Sequence, residues 1–198
     1  MNPWKAYIRW RHRRGFGVHS PFAYNLVNTA INPGKYGYYG YARIDRVILS
    51  SAFEGYPQLR KDARLVLRLL INLECVRLLL PEALPEPALK AMRAVSAGAS
   101  AYTVVIRSGS NIKPHKKDLL FADGSIPYGD LHSPLPGHPA DLSTRIEAGS
   151  AVMLVNPTPG QIEALYHACR HGVIFEGTRV IVAVPRKDMA FVSYPMQF

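Results

Sequence analysis

The sequence predicts a three-layer α/β fold with a mostly parallel sheet, a C-terminal antiparallel hairpin and an N-terminal helical extension. Three observations support this prediction. Residues 75–106 follow a strand–helix–strand pattern of the length usual for a βαβ unit, further apolar runs follow it, and the first 72 residues show helical periodicity instead. We therefore divide the chain into a basic helical extension, residues 1–72, and an α/β domain, residues 73–198, which together form one compact unit.

Positive charge is concentrated in residues 1–49, the N-terminal arm. The chain of 198 residues has a net charge of +10, and residues 1–49 contain eight lysines and arginines but one acidic residue. A surface of this sign attracts phosphates, nucleic acid, anionic lipid or an acidic protein, and the attraction weakens as salt is added. Charge alone leaves all of these partners open.

The first helix is predicted over residues 4–14. Its two sides differ, with Trp4, Tyr7, Ile8 and Trp10 on one and Lys5, Arg9, His12 and Arg13 on the other. Because about ten residues do not hold a helix in water unaided, the aromatic side must pack against the domain, a partner or a membrane surface. We expect it to pack against its own domain.

Three more helices are predicted before the sheet begins. Ser20 can cap a helix that has Pro21 at its first position and extends to about residue 31. Amphipathic segments predict helices over 41–49 and 59–71. In the last of these, arginines recur every fourth residue and form an arginine stripe: Arg60, Arg64 and Arg68. The stripe is either a solvated helix face, which we favour, or an anion-binding surface that extends the N-terminal arm.

The strands of the sheet are predicted from apolar runs at 75–80, 102–106, 119–122 and 151–155. A helix over 87–95 joins the first two runs. Thr158 and Gln161 form a capping box at the start of a further helix. Residues 178–184 and 189–194 are predicted to pair as the terminal hairpin, with a turn at 185–188.

Cys75 and Cys169 each lie in an apolar pattern, so we expect buried free thiols and no metal site. No run approaches the roughly 20 apolar residues of a membrane span, and the N-terminal segment lacks the apolar core of a signal peptide. We therefore expect no transmembrane segment and a cytoplasmic protein.

Residues 15–22 read Gly-Phe-Gly-Val-His-Ser-Pro-Phe, and the run at 119–122 ends in Asp123-Gly124. Together with the βαβ unit and the terminal hairpin, these features resemble bacterial class I S-adenosylmethionine-dependent methyltransferase-like proteins that open with an H-G-x-H-S-P-F motif. The resemblance spans most of the chain, with Phe16 where that group has histidine. It implies a Rossmann-like, methyltransferase-like fold with a ligand pocket at the carboxyl ends of the strands.

The resemblance also identifies what this chain lacks. In that family the loop after the first strand is glycine-rich, so that the backbone can approach S-adenosylmethionine, and an acid at the end of the second strand binds the ribose hydroxyls. Here the loop at 80–85 has no glycine, and Arg107 stands in place of the acid. The short segment between the second and third strands predicts a shortened sheet. The resemblance places the cofactor, if one binds, at Pro81, Glu82, Arg107 and Asp123.

Two residues are candidates for catalysis under the same resemblance. Asp123 could bind a metal or orient a substrate, and His19 could act as an acid or base near neutral pH. Each has a structural alternative, since an aspartate at a strand end often forms a turn and a histidine beside a helix start often fixes the loop. A further set of residues is the candidate anion-binding surface: Arg9, Arg11, Arg13, Arg14, Arg60, Arg64 and Arg68.

Three functions are compatible with these features. We favour a degenerate methyltransferase-like protein without normal cofactor binding, which acts as a binding or scaffolding module through its basic arm. The first alternative is an active methyltransferase that uses S-adenosylmethionine to methylate a small acceptor in a rebuilt pocket. The second is a protein that binds nucleic acid or an anionic surface through the arm.

Overall fold

The computed structural model describes residues 3–12, 17–34, 37–49, 58–107, 110, 112–126, 138–196 and 198. Its helices are α1 (Pro3–His12), α2 (Pro21–Leu26), which continues into a π-helical turn (Val27–Ile31), α3 (Gly40–Leu49), α4 (Leu59–Asn72), α5 (Glu86–Gly98), α6 (Pro139–Glu147) and α7 (Pro159–Ala168). Its strands are β1 (Arg77–Pro81), β2 (Tyr102–Ile106), β3 (Asp118–Asp123), β4 (Ala151–Val155), β5 (His171–Glu176), β6 (Val180–Ala190) and β7 (Val192–Pro195).

The strands form one sheet in the order β2-β1-β3-β4-β6-β5-β7. The first four strands in this order are parallel to one another, and β7 pairs in parallel with β5. Only β6, among these strands, is antiparallel to its neighbours, β4 and β5. The predicted α/β fold with a mostly parallel sheet and a C-terminal antiparallel hairpin is therefore confirmed, and it is Rossmann-like.

Alternate residues of the strands fill two hydrophobic cores, one on each face of the sheet. Leu78 and Leu80 of β1 belong to the core that α2, α3, α4 and α5 cover, whereas Leu79 between them belongs to the core that α6 and α7 cover. Helices from both sides of residue 72 contribute to the first core. The layers are therefore helix, sheet and helix.

The terminal hairpin is built from other strands than predicted. It consists of β5 and β6, joined at residues 177–179, while β7 pairs with β5 instead of with β6. Sequence reasoning missed β5 because its short apolar run begins directly after α7. The predicted turn at 185–188 falls inside β6, where the pairing jumps from Gly172–Pro185 to His171–Ala190 and residues 186–189 bulge out of the ladder.

Sequence reasoning also missed α6. His138 caps this helix, Pro139 is its first residue, and Leu142 and Ile146 are buried. Two large apolar residues in nine make a periodicity too short to stand out from a loop. Most of the predicted loop at 126–140 lies outside the described residues.

Residues 17–22, the described part of the opening motif, lead into the first residues of α2 and contact β6. The Ser20 hydroxyl accepts a hydrogen bond from the Ala23 amide at 3.3 Å, which confirms the predicted cap. The same hydroxyl contacts the Met189 sulfur at 3.7 Å, and the Arg186 guanidinium lies 4.4 Å from the centre of the Phe22 ring. The bulge in β6 is thus the surface on which the motif docks.

The aromatic side of α1 is not buried by the domain, so this expectation is wrong. Trp4, Tyr7 and Trp10 are 65%, 46% and 54% exposed, although α1 lies beside β7. The rings instead pack along one another, with centres 5.8 Å apart for Trp4 and Tyr7 and 6.3 Å apart for Tyr7 and Trp10.

Both cysteines are free and buried, as predicted. Burial raises the pKa of Cys75 to about 12 and that of Cys169 to about 11. At these pKa values both thiols stay protonated near neutral pH, and the thiolate is the reactive form. Cys75 and Cys169 therefore serve as packing groups, one in each hydrophobic core. No helix in the described segments is long and apolar enough to cross a membrane.

Candidate functional site

A cavity of about 270 Å³ lies where the carboxyl ends of the parallel strands face α4. Phe121 and Asp123 of β3 and Val155 of β4 line it, and Leu84 reaches it from the loop after β1. In the sheet, β2 lies on one side of β1 and β3 on the other, so β1 and β3 flank a switch point, where α/β sheets bind ligands. The predicted ligand edge of the sheet therefore carries a cavity.

Asp123 is half-buried at the end of β3 and is held by hydrogen bonds. Its Oδ1 accepts from the Ser125 amide at 3.0 Å, from the Ser125 hydroxyl at 2.7 Å and from the Asn156 side-chain amide at 3.1 Å. The two bonds from Ser125 form the turn that was the structural alternative for this residue. Asp123 also lines the cavity, so the turn does not remove it from the candidate site.

The glycine after Asp123 is needed because two chain segments meet there. The Gly124 amide donates to the Val155 carbonyl at 2.8 Å, and a β-carbon at Gly124 would clash with the backbone carbonyl of Asn156. Asn156 itself has a φ of +46°, in the left-handed region that few residues other than glycine and asparagine adopt readily. The backbone amide of Asn156 donates to the Arg179 carbonyl at 2.7 Å. The ends of β3 and β4 and the hairpin turn are thus tied together.

An ion pair between Asp62 of α4 and Arg179 of the hairpin turn forms another wall of the cavity. Arg179 donates through both Nη atoms to the two carboxylate oxygens, one at 3.0 Å. Burial raises the pKa of Asp62; the charge of Asp123 adds to this, and Arg179 offsets only part of it. The cavity therefore brings together two carboxyl groups and one guanidinium.

Sequence reasoning did not select Asp62, Asn156 or Arg179 as site residues. One signal was available for Asp62, because it lies on the apolar stripe of α4 with Leu59 and Val66, where a charged residue is unexpected. Arg179 lies 117 positions further along the chain, and no local pattern connects it with Asp62.

A second, larger cavity of about 610 Å³ adjoins the first and shares Asp62 and Arg179 with it. Lys61, Arg64 and Arg68 also line this cavity, so the charged residues of its wall are mostly basic. The ion pair is therefore a common wall of two chemically different cavities.

The arginine stripe packs α4 against its neighbours. Arg60 and Arg64 each donate two hydrogen bonds to Asp45 of α3, and Arg60 is the main reason that the pKa of Asp45 is lowered. Arg68 donates to the Ala30 carbonyl and, at 2.7 Å, to the Tyr41 hydroxyl. The stripe is therefore not a purely solvated face, because each of its three arginines hydrogen-bonds to residues outside α4. Its anion-binding role stays a prediction.

The predicted cofactor residues Glu82 and Arg107 lie side by side at the ends of β1 and β2. The Arg107 Nε atom is 3.2 Å from a Glu82 carboxylate oxygen, and the Glu82 amide donates to the Ile106 carbonyl at 3.0 Å. Pro81 is buried as the last residue of β1. Of the predicted cofactor residues only Asp123 lines the cavity at the switch point.

The remaining predicted residues lie outside that cavity. His19 is exposed before α2. Arg11 is exposed on α1, and its guanidinium is 6.0 Å from the centre of the Tyr7 ring. Arg13, Arg14 and the side chain of Arg9 are outside the described residues.

The arrangement at the switch point suits a small organic ligand with an apolar part and a polar group. Phe121, Leu84 and Val155 supply apolar surface, while Asp123 and the ion pair supply hydrogen-bonding groups at one edge. Within the described segments, no group of three or more His, Cys, Asp or Glu residues could hold a metal ion.

The fold and the cavity define a Rossmann-like α/β protein with a ligand-sized cavity at its switch point. Comparison with protein-family models and with curated protein sequences finds no match to this chain.

Proposed function

We propose that the protein is a degenerate methyltransferase-like protein that does not bind S-adenosylmethionine in the usual way and acts as a binding module through its basic N-terminal arm. The observation that carries the proposal is the Glu82–Arg107 ion pair at the ends of β1 and β2, where the resemblance locates the cofactor. This pair and the loop beside it do not fit that cofactor, for two reasons.

The first reason concerns the ribose. A carboxylate accepts hydrogen bonds from ribose hydroxyls, whereas the guanidinium of Arg107 can only donate. The carboxylate of Glu82 is close by, but it is paired with Arg107. The end of β2 itself therefore presents a donor where the family has an acceptor.

The second reason concerns the loop after β1. The Leu84 amide donates to the Pro81 carbonyl at 3.1 Å, and the Leu84 side chain is buried. Without glycine, the backbone of this loop cannot come as close to a ligand as a glycine-rich loop does, and Pro85 has no amide hydrogen to donate. The loop therefore presents a leucine where the family presents backbone amides.

The binding role falls to the arm because of its charge. Residues 1–44 contain seven lysines and arginines and no acidic residue. Such a segment attracts polyanions over a distance of about 8–10 Å at ordinary salt concentrations.

Calorimetric titration with S-adenosylmethionine tests the cofactor part of the proposal. We expect no binding tighter than about 1 mM. Micromolar binding would overturn the proposal. If the protein does not bind S-adenosylmethionine, two variants show which residue prevents binding. Arg107→Asp restores an acid at the end of β2, and the control, Arg93→Asp, makes the same change on the exposed face of α5. A gain of affinity in the first variant alone would identify Arg107 as the residue that prevents binding.

A second function, methyl transfer to a small acceptor in a rebuilt pocket, is favoured by the cavity that Asp62, Asp123 and Arg179 line. If Asp123 orients the acceptor, Asp123→Asn lowers turnover by about a hundredfold in an assay of methyl transfer from S-adenosylmethionine. The exposed Asp188→Asn variant is the control. Turnover equal to that of the control would remove Asp123 from this role.

A further inference from the structure

We infer that α1 is an interfacial helix that inserts its aromatic side chains into the surface of an anionic lipid membrane. The inference rests on the proposed binding role of the basic arm and names its partner. Three observations support it: the exposure of the aromatic rings, the charge around them, and the way in which the rings pack.

The aromatic rings of α1 are of the kinds that favour the membrane–water boundary. Trp4, Tyr7 and Trp10 are each about half exposed or more and follow one another along the helix. Tryptophan and tyrosine are enriched at that boundary because each has a large apolar ring and one polar group that stays hydrated. A helix that lies in the boundary needs only such an exposed side, without the length of a span.

The charge around the rings fits an anionic lipid surface. Arg11 is exposed beside Tyr7, and the chain adds Lys5, Arg9, Arg13 and Arg14 within the first 14 residues. Each basic residue near an anionic membrane strengthens binding by about fivefold. An aromatic side combined with a basic side is the pattern of interfacial helices, in which the rings enter the boundary and the basic residues attract the anionic headgroups.

The same observations disfavour two other occupants. A second copy of this chain would bring an equally basic arm against the first, and the two would repel each other. Platforms for single-stranded nucleic acid present open ring faces to successive bases, whereas here Tyr7 lies between the two indoles, at 5.8 Å and 6.3 Å between ring centres.

The chain provides its own probe, because its two tryptophans, Trp4 and Trp10, both lie on α1. We expect the tryptophan emission to shift to shorter wavelength when vesicles of phosphatidylcholine with phosphatidylglycerol are added, and the protein to sediment with them. Vesicles of phosphatidylcholine alone should bind at least about tenfold more weakly, since the charge attraction is lost. Added salt should weaken binding to the anionic vesicles.

Variants separate insertion from charge, with sedimentation as the measurement. Replacing both tryptophans (Trp4→Ala with Trp10→Ala) should weaken binding by more than about tenfold, because apolar burial is lost. Tyr102→Ala removes a ring of similar exposure, 56%, from the edge strand β2 and should have no effect. Arg11→Gln should weaken binding by about fivefold, and Arg93→Gln on α5 should not. Thermal unfolding of each variant checks that the fold is intact.

Several results would overturn the inference. These are no binding to the anionic vesicles, binding without an emission shift, binding that both tryptophan replacements leave unchanged, and tighter binding of a single-stranded oligonucleotide than of the vesicles at the same salt concentration. The vesicle experiment contains no S-adenosylmethionine. The inference can therefore fail while the proposal about the cofactor stands. Equally, the titration with S-adenosylmethionine can overturn the proposal about the cofactor while the vesicles still bind.

Discussion

Asp62 and Arg179 are 117 positions apart in the chain, and they meet in an ion pair with two hydrogen bonds that joins α4 to the turn between β5 and β6. Asp62 is 6% exposed, whereas the side chain of Arg179 is 33% exposed. The pair therefore keeps a buried carboxylate compensated at the wall that two cavities share.

Replacing Arg179 should destabilise the protein. In Arg179→Met the Asp62 carboxylate stays buried without its partner, and we expect the free energy of unfolding to fall by about 2–3 kcal/mol. Urea denaturation measures this change. The control is Arg93→Met, which removes an arginine whose ion pair with Glu86 on α5 is exposed, and it should have little effect. Equal losses in the two variants would contradict the role assigned to the buried pair.

The contacts of Asp45 predict a specific dependence of stability on pH. Its pKa is lowered from the ordinary 3.8, chiefly by Arg60 and also by Arg64, so its ionised form favours the folded state. Above pH 5, the free energy of unfolding of the protein should exceed that of Asp45→Asn by about 1 kcal/mol. The gain should disappear as the pH falls below 3.8 and through the lowered pKa. Urea denaturation at several pH values measures it, and a difference that grows toward acid would contradict the assignment.

Gly124 should not tolerate a side chain. In Gly124→Ala the new β-carbon would clash with the Asn156 backbone carbonyl and come within 2.7 Å of the Gln161 side-chain oxygen, and we expect a loss of about 3 kcal/mol. Gly37→Ala is the matched control, because a β-carbon there meets no atom within 4 Å. Thermal unfolding compares the two variants; similar transition temperatures would show that β3 and β4 do not approach each other in this way.

Neither cysteine should react with a thiol reagent in the folded protein. The raised pKa values, about 12 for Cys75 and about 11 for Cys169, together with burial, keep both thiols protonated and inaccessible at pH 8. Titration with a chromogenic disulfide should detect no rapidly reacting thiol before unfolding and both thiols in guanidinium chloride. Rapid reaction of either thiol in the native protein would contradict its buried placement.

The fold class was predictable because its determinants are local. Apolar runs of four to six residues mark β1, β2, β3 and β4, and the capping box of Thr158 and Gln161 marks the start of α7. Where the local pattern is short or ambiguous, prediction failed: the apolar run of β5 has only three residues, α6 has few large apolar residues, and Pro185 suggested a turn where β6 continues past a bulge.

The candidate site was predictable only in part, for the same reason. Asp123 follows a strand and is followed by glycine, a pattern visible in sequence, and it does line the cavity. Asp62 and Arg179 come from a helix and a hairpin turn far apart in the chain, and the backbone amide of Asn156 donates to the Arg179 carbonyl in that turn. Their proximity depends on the packing of α4 across the sheet.

The sequence by itself determined the α/β class, the placement of most helices and strands, the cap of α2 and the concentration of positive charge in the arm, because each depends on neighbouring residues. The tertiary structure alone decided which strands form the hairpin, that Asp62 meets Arg179, that Arg60 and Arg64 share Asp45, and that the aromatic rings of α1 stay exposed. These features depend on burial and on contacts between distant segments, which no local pattern encodes.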